Sequence, residues 1–313
     1  MTMTPNGTGT AVHSTGPRAI VQACRTAAQW RLLLLWTVCQ WIPTAIIALP
    51  VWQLFGTVFD HSVRAGALAQ RLDLLSLPEL MAAFQHNGLA LGTASVAALL
   101  AALLMAPFQS ALVIAAARAP APADFASLGA GALAAYGRML RMLVWSAVPL
   151  GTALALGAAV FRAAGNHNDG VYLQSDALHA NIVAAVVAAL LLVVAAATLD
   201  GGRAVLAVDA GRSSALAAWW SGLGLLLRRP VSSFGAYGLL GVAGLLLAAV
   251  LGVLRLNLPP AGTGGAVAAF IVTQLMVMAL AWMRSARLFA LIRATDALRG
   301  AEGPPSPAVP LRR

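Results

Sequence analysis

The sequence predicts an all-α fold: a polytopic membrane bundle of six transmembrane helices, with amphipathic helices at the cytoplasmic interface. Three observations carry that prediction. The chain is 60% hydrophobic and only 10% charged, with a mean hydropathy of +0.82, whereas soluble domains hold roughly a quarter charged residues. Six apolar runs are long enough to cross a hydrocarbon core of roughly 30 Å, and no stretch alternates as a barrel strand does. All 20 basic residues are arginine, and they collect in alternate connections.

Taken in order, Met1 to Pro17 is rich in Thr, Gly and Asn and has no basic segment leading directly into an apolar core. It reads as a disordered tail (1–17), not as a cleavable signal peptide. The membrane domain is placed at 18–295, with spans near 32–56, 89–117, 140–161, 178–199, 232–254 and 264–284. The first run, Leu32 to Phe59, contains Pro43 and Pro50. The second, Leu80 to Ala117, begins with a turn at His86, Asn87 and Gly88 and contains Pro107. The third, Met142 to Phe161, contains Pro149. Each of these prolines removes a backbone donor and bends its helix. Ala177 to Leu199 is free of charge. Pro230 to Leu254 carries a side of small residues, Gly235, Gly238, Gly241, Gly244, Ala248 and Gly252, which suits a helix at the centre of the bundle or on a dimer face. Leu256 to Met283 is the last run. The four prolines after Arg299 mark 296–313 as a disordered tail.

Three segments precede the odd-numbered spans, Pro17 to Arg31, Asp124 to Arg141 and Ser213 to Arg229, and the last two read as helices at headgroup level. Asp124 and Ser213 are the expected caps. Leu216, Trp219, Trp220, Leu223, Leu226 and Leu227 recur at helical spacing, and Arg228 and Arg229 suit both the C-terminal dipole and lipid phosphates. On the opposite side, 60–87 is expected to hold one or two short helices. There 162–179 forms a turn-rich loop and 255–264 a short one.

Arginine counts set the orientation, because basic residues are retained in the cytoplasm. Sixteen lie in the N-terminal segment, the loops after the second and fourth spans and the C-terminal segment; Arg64, Arg71, Arg162 and Arg255 lie opposite. Both termini are therefore expected in the cytoplasm, with the protein in a bacterial inner membrane. The net charge of +10 does not indicate nucleic acid, since the arginines stand singly or in pairs beside apolar runs, without an aromatic-rich binding module.

Arg118, Arg203 and Arg287 recur at near-equal spacing, and Arg203-Ala-Val-Leu-Ala-Val parallels Arg287-Leu-Phe-Ala-Leu-Ile. This suggests an internal repeat, although any protein built of hairpins places an arginine at each cytoplasmic exit.

The functional reading is largely one of exclusion. No span has Asp, Glu or Arg in its middle, which weighs against ion-coupled or proton-coupled pumping. Catalytic elbows, zinc-protease spacings, phosphate loops and dinucleotide fingerprints are all missing. His61, His86, His167 and His179 fall in loops without metal-ligand spacing, so no metal or cofactor is called for. Cys24 and Cys39 lie about 22 Å apart along what reads as one continuous helix, beyond disulfide reach. At depth only neutral polar residues occur, among them Gln40, Gln109 and Gln274, and interhelical hydrogen bonding is their first role. The expected function is non-catalytic, a scaffold or accessory subunit. Trp219, Trp220, Arg228 and Arg229 would contact anionic lipid headgroups, a protein partner or a second copy of the chain. The alternative is an uncoupled channel or transporter for a neutral or apolar solute, lined by Gln40, Pro107, Gln109 and Gln274.

Leu199-Asp200-Gly201-Gly202-Arg203, followed by Arg212-Ser213-Ser214-Ala215-Leu216 and Leu227-Arg228-Arg229-Pro230, resembles a group of bacterial six-helix inner-membrane proteins. These are similar to the membrane domain attached to some glycerophosphodiester phosphodiesterases. The resemblance implies a helical bundle over roughly residues 20 to 295 and no established activity; the acidic metal-binding motifs of the phosphodiesterase domain have no counterpart here. A topology reporter fused at Gly170 is expected to read as external; cytoplasmic signal at that position would reverse the assignment.

Overall fold

The computed structural model describes residues 17–59, 77–168, 174–209, 211, 213–228, 230–258 and 262–301. Among them lie the helices α1 (Pro17–Ala27), α2 (Trp30–Phe59), α3 (Leu77–His86), α4 (Gly88–Arg118), α5 (Phe125–Asn168), α6 (Gln174–Val208), α7 (Ala215–Arg228), α8 (Pro230–Asn257) and α9 (Gly262–Ala301), and no strand. The protein is an all-α membrane bundle: α2, α4, α5, α6, α8 and α9 are long and apolar enough to span. Pro43, Pro50, Pro107 and Pro149 all lie inside uninterrupted helices. Pro230 opens α8, where its missing N–H is one of the donors the first turn leaves unpaired in any case.

Several boundaries differ from expectation. The amphipathic segment Asp124 to Arg141 and the third span form one helix of 44 residues, about 66 Å long, because no proline or turn residue interrupts the register between them. Its first turn is capped as anticipated: Ser127 N donates to Asp124 Oδ1 at 3.1 Å. Hydrogen bonds from Ser127 hold this carboxyl below the usual carboxylate range. In α7 the cap is Ser214, whose Oγ accepts from Ala217 N at 3.3 Å, instead of Ser213. The helix read as continuous from Cys24 to Cys39 breaks at Ala28 and Gln29, where Ala28 N is shared between the carbonyls of Cys24 and Arg25. Both thiols are free, and burial raises that of Cys24. The loop read at 162–179 shrinks, since α5 runs through His167 and α6 already contains His179. At the C-terminus α9 continues to Ala301, past the start of the stretch read as tail from its prolines; the rest of both tails, His61, Arg229 and most of the 60–87 connection lie outside the described residues.

The spanning helices pair as three hairpins, α2 with α4, α5 with α6, and α8 with α9. The hairpins join at one end, here called the base, which carries α1 and the C-terminal part of α9. Each amphipathic segment packs on the end of a spanning helix that leads to the base. The start of α5 lies on α4, where Tyr136 OH donates to Leu104 O at 3.1 Å, and α7 lies on α6. Helix α1 closes the ring on α9: Trp282 Nε1 donates to Cys24 O at 3.1 Å, and Arg293 Nη2 to Thr26 Oγ1 at 2.9 Å. Small residues do not put α8 at the centre, because it packs chiefly on α9; α9 is the helix that touches α1, α2, α4, α6 and α8.

Burial is concentrated at the base. Ala111 to Ile114, Leu199, Ala204 to Ala207 and Leu288 to Ile292 form its core with Leu32, Trp36, Leu128, Met139 and Met142. Towards the other end the helices expose Leu99, Leu103, Leu190, Val194, Leu246 and Val250, the apolar belt that a lipid phase requires.

The tightest joint is between α6 and α7. A Cβ on Gly222 would fall on the backbone of Gly201 and Gly202, and one on Gly202 would meet Met142 and the Trp219 backbone. Gly222→Ala is expected to cost about 1–3 kcal/mol through overpacking, seen as a lower unfolding midpoint in detergent and faster proteolysis between α6 and α7. Gly224→Ala, with open space at its Cβ, is the control and should be neutral or stabilising by about 0.5–1 kcal/mol.

Candidate functional site at the base of the bundle

Backbone contact with α6 fixes the rotation of α7 and decides which side chains it shows. Trp219 turns inward: its Nε1 donates to Thr198 Oγ1 at 3.1 Å, and its ring meets Trp145 edge-on at 5.7 Å. Trp220 turns outward and is 66% exposed, with Leu216 and Leu227 on the same open side. Arg228 stands exposed in the last turn. The four residues read as one contact set are thus divided, with Trp219 a packing residue, Trp220 and Arg228 outward, and Arg229 outside the described residues.

Between α7 and the end of α9 lies an open groove of about 490 Å³. Trp220, Leu223 and Leu227 form one wall and Leu298 and Arg299 the other, with Arg228 at its edge. Arg299 is tied by Nη2 to Asp209 Oδ2 at 3.3 Å, so this wall is braced against the connection after α6. Arginines from two other helices hold the end of α6 itself. Arg118 Nε donates to Ala207 O at 2.9 Å and its Nη2 to Leu206 O at 3.1 Å; Arg138 Nη1 reaches the Leu206 and Asp209 carbonyls at 3.4 Å. These carbonyls have no partner within the helix, and cations there also meet the negative end of the dipole.

Behind α7 the sequence reading missed a polar node. Asp200 accepts on Oδ1 from Arg203 Nη1 at 2.5 Å and on Oδ2 from the Tyr237 hydroxyl at 2.9 Å. The Arg287 guanidinium lies over the Tyr237 ring at 4.5 Å, and that of Arg284 over Trp36 at 5.7 Å. The i, i+3 spacings of Asp200 with Arg203 and of Arg284 with Arg287 were visible signals. Tyr237 and Trp36, sitting in apolar runs, gave none.

The residues proposed as a lining fall into two separate pairs. Gln109 Nε2 donates to Gln40 Oε1 at 2.7 Å, joining α4 to α2, with Pro107 buried two residues before Gln109. Gln274 Oε1 accepts from Trp41 Nε1 at 2.8 Å, joining α9 to α2. Among the described residues no three side chains of metal-ligating type converge.

No family model matches the sequence, and no curated protein or solved structure matches it either. The resemblance to the phosphodiesterase-linked membrane domain therefore rests on the quoted residues alone. Gln40 and Gln109, satisfied by each other, should show a coupling of about 0.6 kcal/mol, up to about 1.7, in a double-mutant cycle with leucine at each position. A coupling of zero in detergent unfolding would mean the pair does not bridge the helices.

Proposed function

We propose that this multi-pass membrane protein is a non-catalytic scaffold or accessory subunit. On this reading it resides in a bacterial inner membrane with both termini cytoplasmic, and its base holds anionic lipid headgroups or a cytoplasmic protein partner. One observation carries the proposal: α7 is fixed against α6 backbone to backbone, yet it leaves Trp220, Leu216 and Leu227 uncovered beside Arg228. An aromatic residue, aliphatic residues and an arginine on one open helix side suit the boundary between acyl chains and headgroups. The pairing of Gln40 with Gln109 supports the structural role of these residues over the lining of a solute path.

The test uses the full chain reconstituted in vesicles of phosphatidylglycerol and phosphatidylcholine, and native mass spectrometry of lipid retained on extraction. Trp220→Ala with Arg228→Gln should reduce retained phosphatidylglycerol by about fivefold, since one arginine near an anionic surface contributes about 1 kcal/mol, while phosphatidylcholine is unaffected. If retention is unchanged and Gln109→Leu instead abolishes solute flux, the protein is an uncoupled transporter and the scaffold reading fails.

A further inference from the structure

The node behind α7 holds more positive charge than its own carboxylate can neutralise. Arg203, Arg284 and Arg287 stand within electrostatic range of one another around Asp200, and both Asp200 oxygens are already engaged by Arg203 and Tyr237. Among the described residues Asp200 is the one acidic side chain acting on Arg284. Neither Arg284 nor Arg287 makes a hydrogen bond to a described residue, and Arg287 Nε is buried without an acceptor. The free arginines are not loose. Arg287 is pressed between the Tyr237 ring and Gly241, where a Cβ would collide with its guanidinium, and Arg284 is stacked on Trp36. Stacking occupies the faces of the two planes and leaves the N–H donors along their edges, already oriented. Arg284 is exposed and Arg287 half-buried, so the cluster is open to solvent on the Arg284 side.

We propose that Arg284 and Arg287 form an anion site for a phosphate group, with Arg203 and its Asp200 partner as the inner wall. A guanidinium fork matches the oxygens of a phosphate bidentately, and a buried donor without an acceptor is costly, so an oxygen reaching Arg287 Nε offsets a penalty the fold otherwise carries. The site lies at the base of the bundle, where the phosphate of an anionic lipid headgroup and a free phosphate both have access. It is separate from the α7 groove.

The experiment uses the full chain in detergent, titrated with inorganic phosphate by calorimetry and examined by native mass spectrometry for retained phosphatidylglycerol against phosphatidylcholine. Arg284→Gln is the decisive variant, since the Arg284 side chain makes no hydrogen bond to a described residue; Arg287→Gln is the second, with helicity and monodispersity checked for both. Loss of a charge-assisted contact should weaken binding by about tenfold, whereas Arg162→Gln, exposed at the opposite end of the bundle, should leave it unchanged. Phosphate binding that is weakened by Arg284→Gln identifies a free-phosphate site. No phosphate binding, but one retained phosphatidylglycerol that Arg284→Gln releases, identifies a headgroup site. If a folded Arg284→Gln protein retains both ligands as the parent does, or the parent binds neither, the proposal is overturned.

Discussion

The carboxylate of Asp200 is the constraint around which the base of the bundle is arranged. It sits on α6 where the helix leaves the apolar belt, with its side chain 17% exposed, too enclosed for water alone to stabilise the charge. Arg203 on the same helix and Tyr237 on α8 supply the donors, and the Tyr237 hydrogen bond ties α8 to α6 at this point. The two residues that follow Asp200 are glycines, and their absent side chains let the backbone of α7 settle at Gly222. A single turn and a half, from Leu199 to Arg203, therefore positions three helices: a core leucine, a charge that recruits α8, and a flat surface that seats α7. These are the same residues on which the resemblance to other six-helix membrane proteins was read, and their spacing has a local physical reason whatever the ancestry of the chain.

The three hairpins meet in a cyclic manner that bears on the suspected repeat. Each amphipathic segment lies on the end of a spanning helix that leads to the base, and for α1 that helix is α9, the last of the chain. The exit arginines do different work. Arg118 caps the carbonyls of α6, Arg203 pairs with Asp200, and Arg287 stacks on Tyr237. If every hairpin merely placed an arginine at its exit for topology, these side chains would point to headgroups; here each is drawn into the contact between neighbours.

Much of the fold was legible because lipid leaves a chain few choices. Charge-free runs of about twenty residues had to be helices, and the six were located from the length of those apolar runs. Boundaries were less legible. The start of α5 looked like a separate surface helix because Arg138 and Arg141 interrupt the apolar run, yet an arginine on one face does not break a helix, and no backbone signal did so either. For α8 the glycine-rich side correctly announced close approach, by Met283 at Gly244 and Arg287 at Gly241, but glycine pattern carries no information on how many neighbours approach. In the candidate site, Trp220 and Arg228 could be read from helical spacing. The inward turn of Trp219 could not, because adjacent tryptophans on an amphipathic helix differ by about 100° and only the Gly222 contact decides which of them faces the bundle.

The uneven distribution of the core follows from a change of solvent along each helix. Within hydrocarbon no hydrophobic force draws helices together, so the hairpins are held there by small-residue contacts such as Gly157 against Ala188 and by isolated pairs such as Gln40 with Gln109. At the base, water is present and burial of apolar surface becomes favourable again. Helix α9, at 40 residues and about 60 Å, is twice as long as the membrane requires, and the excess carries Leu288, Phe289, Leu291 and Ile292 into that core. The chain thus devotes its specific packing, its ion pairs and its unpaired arginines to the end that leaves the membrane, and a binding role placed there agrees with where its structure is most fully determined.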